Sequence, residues 1–293
     1  MSRAEWPGTT EFISEMLSIL GAEHPMTVRQ LFYRLVSSGA IANSLGEYQR
    51  VSRLITKARR DDRCPYQYLV DRSRPTYTPN VFEDCSAYAD VISRAYRKDH
   101  WELQPRHVEC WCEKDAVIGS IEGTTDELGI AVRVARGFMS ATRVNDIAEE
   151  LSAIGKPTTI LFLGDHDPSG RCIEESARAA VLARYVEIGD KDMPFEMVRL
   201  AIHKADIEAF HLPPLQVKDS DPRTDGYRRK FGGQCVELDA LPPSELRRRI
   251  KAAVRERRDE RVWEKSVHIE RVELDSIVSF AEKLQNINAT KAQ

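Results

Sequence analysis

The chain has 293 residues, 42% hydrophobic and 30% charged, enough to bury a core in one large domain or two ordinary ones. Its net charge of −3 excludes a basic coat over the whole surface, so any nucleic-acid footprint must be local. No apolar run approaches a membrane span, no leader segment is visible, and the six cysteines lack zinc or CxxC spacing, which together point to a reduced, cytoplasmic protein with no membrane partner.

Residues 11–22 carry Phe12, Ile13, Met16, Leu17, Ile19 and Leu20 at helical spacing and end at Gly21. A second helix is predicted over 27–39, opened by Thr27 as N-cap, with Val28, Leu31, Phe32, Leu35 and Val36 as its buried stripe and Gly39 as its stop. A third runs over 46–61 on Val51, Leu54, Ile55 and Ala58, and 65–77 reads as a small strand pair. Three helices and a β-wing make a winged helix-turn-helix over residues 1–80, with 46–61 in the recognition position. Residues 50–74 hold eight basic against three acidic residues. Arg50, Arg53, Lys57, Arg59, Arg60, Arg72 and Arg74 are therefore candidate phosphate contacts, for which double-stranded DNA is the natural partner.

Residues 81–104 read as a connector with a helix over 84–99. An α/β domain is expected over 105–293. Its strands lie at 106–112, 129–135, 158–165 and 197–202, with helices to about 128, over 140–155 (Ser140 cap, Gly155 stop) and over 170–186. Alternation of strand and helix predicts a parallel sheet flanked by helices. Residues 203–233 form a long loop-rich stretch, and 236–263 end in a basic helix; no element is assigned beyond 263.

Two strand ends carry the chemistry. RHVECWCEKDA (106–116) ends in Glu113-Lys114-Asp115, and TTILFLGDHDPSG (158–170) ends in Asp165-His166-Asp167 before Gly170. Ligands of open α/β sheets sit beyond the carboxyl ends of strands. Asp165 and Asp167, two apart in extended chain, point the same way. With Glu113 they would form an all-oxygen set suited to Mg²⁺, with Mn²⁺ as a substitute. His166 alternates to the other side and is not taken as a ligand. Lys114 alternates away from Glu113 and reads as a structural ion-pair partner. His203 and Lys204 follow the last strand and could line the same edge. On the second helix, Tyr33 sits one position past Phe32, off the centre of the stripe, with Arg29 one turn earlier. A guanidinium there could bind phosphate and favour the phenolate.

The order Glu113, then Asp165-x-Asp167-x-x-Gly170, resembles the toprim domain of topoisomerases, primases and some nucleases. With VRQLFYRLV (28–36) upstream, the chain resembles the A subunit of topoisomerase VI and the meiotic double-strand-break transesterases, as a compact relative matched from about 27 to 250. The resemblance implies that Tyr33 is the nucleophile, assisted by Arg29, and that Mg²⁺ is held by Glu113, Asp165 and Asp167. It also implies a 5′-phosphotyrosyl link, a homodimer in which one chain's tyrosine works with the other's metal site, and a cytoplasmic, nucleoid-associated setting. No Walker-type nucleotide motif is present, so ATP-driven strand passage would need a separate ATPase B-type subunit. Two alternatives stay open: a toprim nuclease that hydrolyses DNA with metal-activated water, and a non-catalytic DNA-binding protein. A primase is a further option, with no zinc-binding template module to match it.

Overall fold

Parallel pairing of the two acid-bearing strands is the centre of the fold. A computed structural model describes residues 7–70, 79, 81–189, 193–217 and 222–291. In chain order these form α1 (Pro7–Glu23), α2 (Val28–Ser37), α3 (Leu45–Arg60), α4 (Cys85–Ala95), β1 (His107–Cys112), α5 (Asp115–Glu127), β2 (Val132–Val134), α6 (Ala141–Ile154), β3 (Thr158–Leu163) and α7 (Pro168–Ile188). There follow β4 (Phe195–Ala201), α8 (Lys204–Ala209), β5 (Leu215–Gln216), α9 (Thr224–Phe231), β6 (Gln234–Cys235), α10 (Pro243–Arg255) and α11 (Glu260–Lys291). The fold is mixed α/β, with a four-stranded parallel sheet flanked by helices.

The sheet order is β2-β1-β3-β4, and β1 pairs with β3 from His107↔Thr158 to Cys112↔Leu163. The chain leaves β1 toward β2 on one side and reaches β3 on the other, so the topological switch point lies between β1 and β3. β3 is buried along its whole length, which is why it reads as an unbroken apolar run. Trp111, Ile160 and Phe162 share one core cluster with Ile147 and Leu151 of α6 and Val181 and Tyr185 of α7. The caps behave as their residue types require: Thr27 accepts from the Gln30 N–H in a reciprocal capping box, Ser140 caps α6, and Gly155 ends it at φ 61°.

The chain divides into two compact units. One comprises residues 1–73 and 107–256, the other 74–106 and 257–293. In the first, Phe12, Ile13, Met16, Leu31, Phe32, Leu35, Val51 and Ile55 are buried among α1, α2 and α3. These helices are tied to the α/β layer by the Gln30 amide on Ser120 Oγ (3.1 Å) and by Arg247, which donates to the carbonyls of Glu23, Pro25 and Ser120. In the second, α4 packs on α11, and the segment after α4 is held to α11 and its start by the Lys98 N–H and His100 on Glu270, His100 on Ser266, and Gln104 with the Asp259 backbone. The 32-residue α11 lies mostly past the last assigned element. Valines 267, 272 and 278 on it remain exposed, so no clean apolar stripe announces the helix.

The expected strand pair over 65–77 is not formed up to Val70, and no wing is seen among the described residues. Tyr66–Tyr68 make a 3-10 turn, and Leu69 bridges Met26 in parallel. The Tyr68 ring stacks on His24 at 4.0 Å and Leu69 is buried, so the segment closes the α1–α2 connection and is not free to pair with itself. The remainder, 71–77, lies outside the described residues. Among the described residues no helix is long and apolar enough to cross a membrane.

Glu109, in the middle of β1, is 1% exposed. It accepts from Arg133 (2.6 and 2.8 Å), Trp111 Nε1 (3.0 Å) and His107 Nε2 (3.0 Å). Burial works against its charge, but the hydrogen bonds from Arg133 and His107 and the Arg133 charge hold its carboxyl at about 2. A depressed folded value makes this stabilisation full above the ordinary 4.5 and lost as pH falls toward 2. Glu109→Ala is expected to cost about 3 kcal/mol at pH 7, because Arg133 loses a buried partner. The urea midpoints of the two proteins should converge as pH falls from about 5 to 2.

Candidate functional site

The carboxyl ends of β1 and β3 deliver Glu113 and Asp165 to either side of the switch point. The ladder continues one step past the strands, the Glu113 N–H donating to Leu163 O at 2.9 Å. The Asp165 N–H then donates to Glu113 Oε2 at 2.9 Å. A Cβ on Gly164 would lie 2.9 Å from that same oxygen. One on Gly170 would lie 2.7 Å from the Asp165 carbonyl and 2.9 Å from Glu113 Oε2. The glycine three residues past Asp167 is thus a demand for space beside the carboxylate. Asp167 is the N-cap of α7, accepting from the Gly170 N–H at 2.6 Å, and Pro168 occupies the first helical turn.

Behind the acids, the β3–β4 register shifts at Phe162/Leu163, and the Gly164 and Ala201 carbonyls each accept a second donor beside their backbone partner. Arg199, buried on β4, donates to Gly164 O (2.8 Å) and Ala201 O (3.1 Å) and pairs with Glu174 of α7 at 2.7 Å. The strand end under Asp165 is fixed by this guanidinium. His166 turns to the far side and packs against Tyr227 and Phe231, where burial and the charges of Arg171 and Arg199 push it down to about 4.

Lys114 does not simply face away. Its Nζ lies 3.1 Å from Asp165 Oδ1, 3.1 Å from Glu237 Oε2 and 2.8 Å from Asp239 Oδ2. Burial opposes its charge, and the three carboxylates hold it charged well above its ordinary range. Glu237 also meets Arg29 Nη2 at 2.5 Å, and the Leu238 N–H donates to Asp165 Oδ1 at 2.7 Å. Glu237 and Asp239 come from the acidic segment before Leu241-Pro242-Pro243. Two acids two residues apart at that point were the signal for them in the sequence.

These groups line one cleft of about 780 Å³. Glu113, Asp165, Asp167, Arg29, Lys114, Glu237 and Asp239 all face it. Tyr33 does not line it. The phenol is buried at 4% exposure, with its ring 5.8 Å from the Arg29 guanidinium carbon. Arg29 does favour the phenolate, but burial and the Glu237 charge outweigh it and the Tyr33 value is raised. His203 and Lys204 are not among the cleft residues; His203 caps α8 and its ring meets the Arg199 carbonyl at 3.1 Å.

Of the basic candidates, Arg50 packs on the Phe12 ring and pairs with Glu47, and Arg59 lies on the Tyr66 ring. Arg53, Lys57 and Arg60 are exposed on one face of α3 around a shallow hollow of about 440 Å³. Arg72 and Arg74 lie outside the described residues.

Glu113 is pushed up to about 7 by burial, then by Asp165 and Asp167; Asp165 is pushed up to about 6 mainly by burial. Buried, mutually repelling carboxylates with oxygen-only donors suit a hard divalent cation. One oxygen of each is engaged in holding the loop, as described, and among the described residues no three acids, histidines or cysteines stand close enough to close a coordination shell. The donor chemistry of Glu113, Asp165 and Asp167 fits Mg²⁺; their spacing is that of an open cleft. No protein-family model matches the chain, and no curated protein matches it significantly.

Raised folded values give the opposite pH sign to Glu109. The stability tied to Glu113 and Asp165 is full below their ordinary 4.5 and 3.8 and is lost as pH rises through about 6 to 7. Glu113→Gln should therefore stabilise the metal-free chain at pH 8 by about 1 kcal/mol, allowing for solvent screening of a partly exposed group. That corresponds to roughly 2–4 °C in a thermal melt. Millimolar Mg²⁺ should raise the melting temperature of the wild type and not that of the variant.

Proposed function

We propose that this chain cleaves duplex DNA by tyrosine transesterification, in the manner of the topoisomerase VI A subunit it resembles. One observation carries the reading: Arg29, one turn before Tyr33 on α2, lines the same cleft as Glu113, Asp165 and Asp167. The N-terminal helices and the acidic strand ends therefore serve one site.

The step is a phosphodiester exchange. The Tyr33 oxygen bonds to a backbone phosphorus, the P–O3′ bond breaks, and the phenol proton is accounted for on the departing 3′-oxygen. The product is a 5′-phosphotyrosyl link and a free 3′-hydroxyl, a covalent intermediate that keeps the break reversible. Arg29 supplies a fixed positive charge to the phosphate as negative charge builds on it. Glu113, Asp165 and Asp167 would hold Mg²⁺, which when bound neutralises the phosphate and the leaving oxygen. Arg53, Lys57 and Arg60 along α3 contact the duplex backbone. One tyrosine cuts one strand, so a double-strand break needs a homodimer. Strand passage needs an ATPase partner, since the chain carries no nucleotide motif of its own.

A second reading is favoured by the burial of Tyr33 and its raised value: a toprim nuclease in which water attacks at the open acidic cleft and Tyr33 is structural.

The deciding measurement is covalent attachment to plasmid DNA in Mg²⁺ or Mn²⁺, trapped with denaturant and mapped by mass spectrometry. The adduct is expected on Tyr33, and Tyr33→Phe should lower cleavage by about 10³-fold or more. Breaks without an adduct that persist in Tyr33→Phe would establish the hydrolase instead, and duplex binding with no breaks under either metal would leave a DNA-binding protein.

A further inference from the structure

We infer that Arg29 and Lys114 form a binding site for one phosphodiester group, and that in the free chain this site is filled by the chain's own Glu237. The inference deepens the proposed function by naming where the phosphate sits, and rests on that reading for the identity of the ligand.

Two cations from different elements converge on one carboxylate. Arg29 reaches Glu237 from α2 at 2.5 Å, and Lys114 reaches it from the end of β1 at 3.1 Å. A guanidinium and an ammonium around one small oxyanion is the arrangement that binds phosphate. Arg29 is half exposed and Glu237 retains 22% of its side-chain surface, so both are reachable from the cleft they line.

The Glu237 backbone is held independently of its carboxylate. The Val236 N–H donates to His166 O, and the Leu238 N–H donates to Asp165 Oδ1. The side chain can swing aside about its own torsions while the segment stays in place. Lys114 also keeps its partners: Asp239, 1% exposed, and Asp165 remain at 2.8 and 3.1 Å.

Charge balance permits the exchange. A phosphodiester carries one negative charge, as does the carboxylate, so it can take the same place between the two cations once the Glu237 side chain has turned out toward solvent. A phosphate in that position is bound by the arginine that touches Tyr33 and by the lysine that touches Asp165. That places it within reach of both halves of the proposed chemistry. Glu237 then acts as a competitive plug, so only a ligand with further contacts, such as a duplex lying along the basic face of α3, displaces it efficiently.

The test uses the full chain, without divalent cation, and two probes: inorganic phosphate, read by thermal shift, and a fluorescent 20–30-base-pair duplex, read by anisotropy. Glu237→Gln is expected to bind the duplex about tenfold tighter than wild type and to show a larger phosphate-induced rise in melting temperature. In Arg29→Ala/Glu237→Gln both gains should vanish. Should the Gln variant melt well below wild type without ligand, Glu237→Asp, whose shorter arm cannot span both cations, gives the same direction with a smaller gain. No gain for phosphate in a folded Glu237 variant, or a gain that survives loss of Arg29, overturns the proposal. A gain for phosphate with no duplex bound by any variant keeps the plugged anion site and removes DNA as the ligand of the proposed function.

Discussion

A single ammonium organises the acidic end of the sheet. Lys114 sits among Asp165, Glu237 and Asp239, and burial makes each of those charges expensive unless it is matched. The residue after Glu113 thereby draws three segments to one point: the end of β1, the end of β3 and the turn before α10. Without this cation the segment 236–240 would place two carboxylates against Asp165 with only Arg29 to offset them. Arg29 itself is tied in through Glu237, so α2, and Tyr33 on it, are coupled electrostatically to the sheet.

The parallel register of β1 and β3 supplies the rigid part of the same arrangement. Cys112 and Leu163 are aligned, and the next residues continue the ladder. Glu113 is then wedged against Gly164 and Gly170, where a side chain would collide with it. Arg199 donates to the Gly164 and Ala201 carbonyls at the β3–β4 register shift. The acids of the cleft are therefore mounted on a braced backbone, and the Glu237 carboxylate and half-exposed Arg29 guanidinium meet beside them as side chains.

That division bears on the chemistry. Tyr33 is buried and its value is raised by its surroundings, while Glu113 and Asp165 stand in an open cleft with values raised mainly by burial. Under the proposed transesterase reading, Tyr33 would stay covered until a phosphate draws Arg29 away from Glu237. The same facts suit a hydrolase that never uses the phenol, which is why the covalent adduct is the observation that separates the two.

The elements were legible because their signals are local. Thr27, Ser140 and Gly155 cap as their side chains and φ angles require, and β3 reads as buried because every residue in it is apolar or Thr. Asp165, Asp167 and Gly170 were legible as a strand-to-helix turn with two aligned acids. The expected strand pair over 65–77 is not formed up to Val70, because Tyr68 stacking on His24 uses that segment to close a loop. Lys114 was legible as an ion-pair partner, but its partners were not. Alternation fixes which way a side chain leaves the strand, but not which distant carboxylates arrive to meet it. Glu237 and Asp239 lie more than a hundred residues downstream, and the C-terminal helix is held by polar contacts from Tyr96, Lys98 and His100 that leave no periodic trace. Sequence by itself determined the strands, the caps and the identity of the acids, since these depend on neighbours in the chain. Only the tertiary structure decided that Arg29 shares their cleft, that Tyr33 is covered, and that one lysine holds the site together, because charge pairing across a sheet edge depends on distance in space alone.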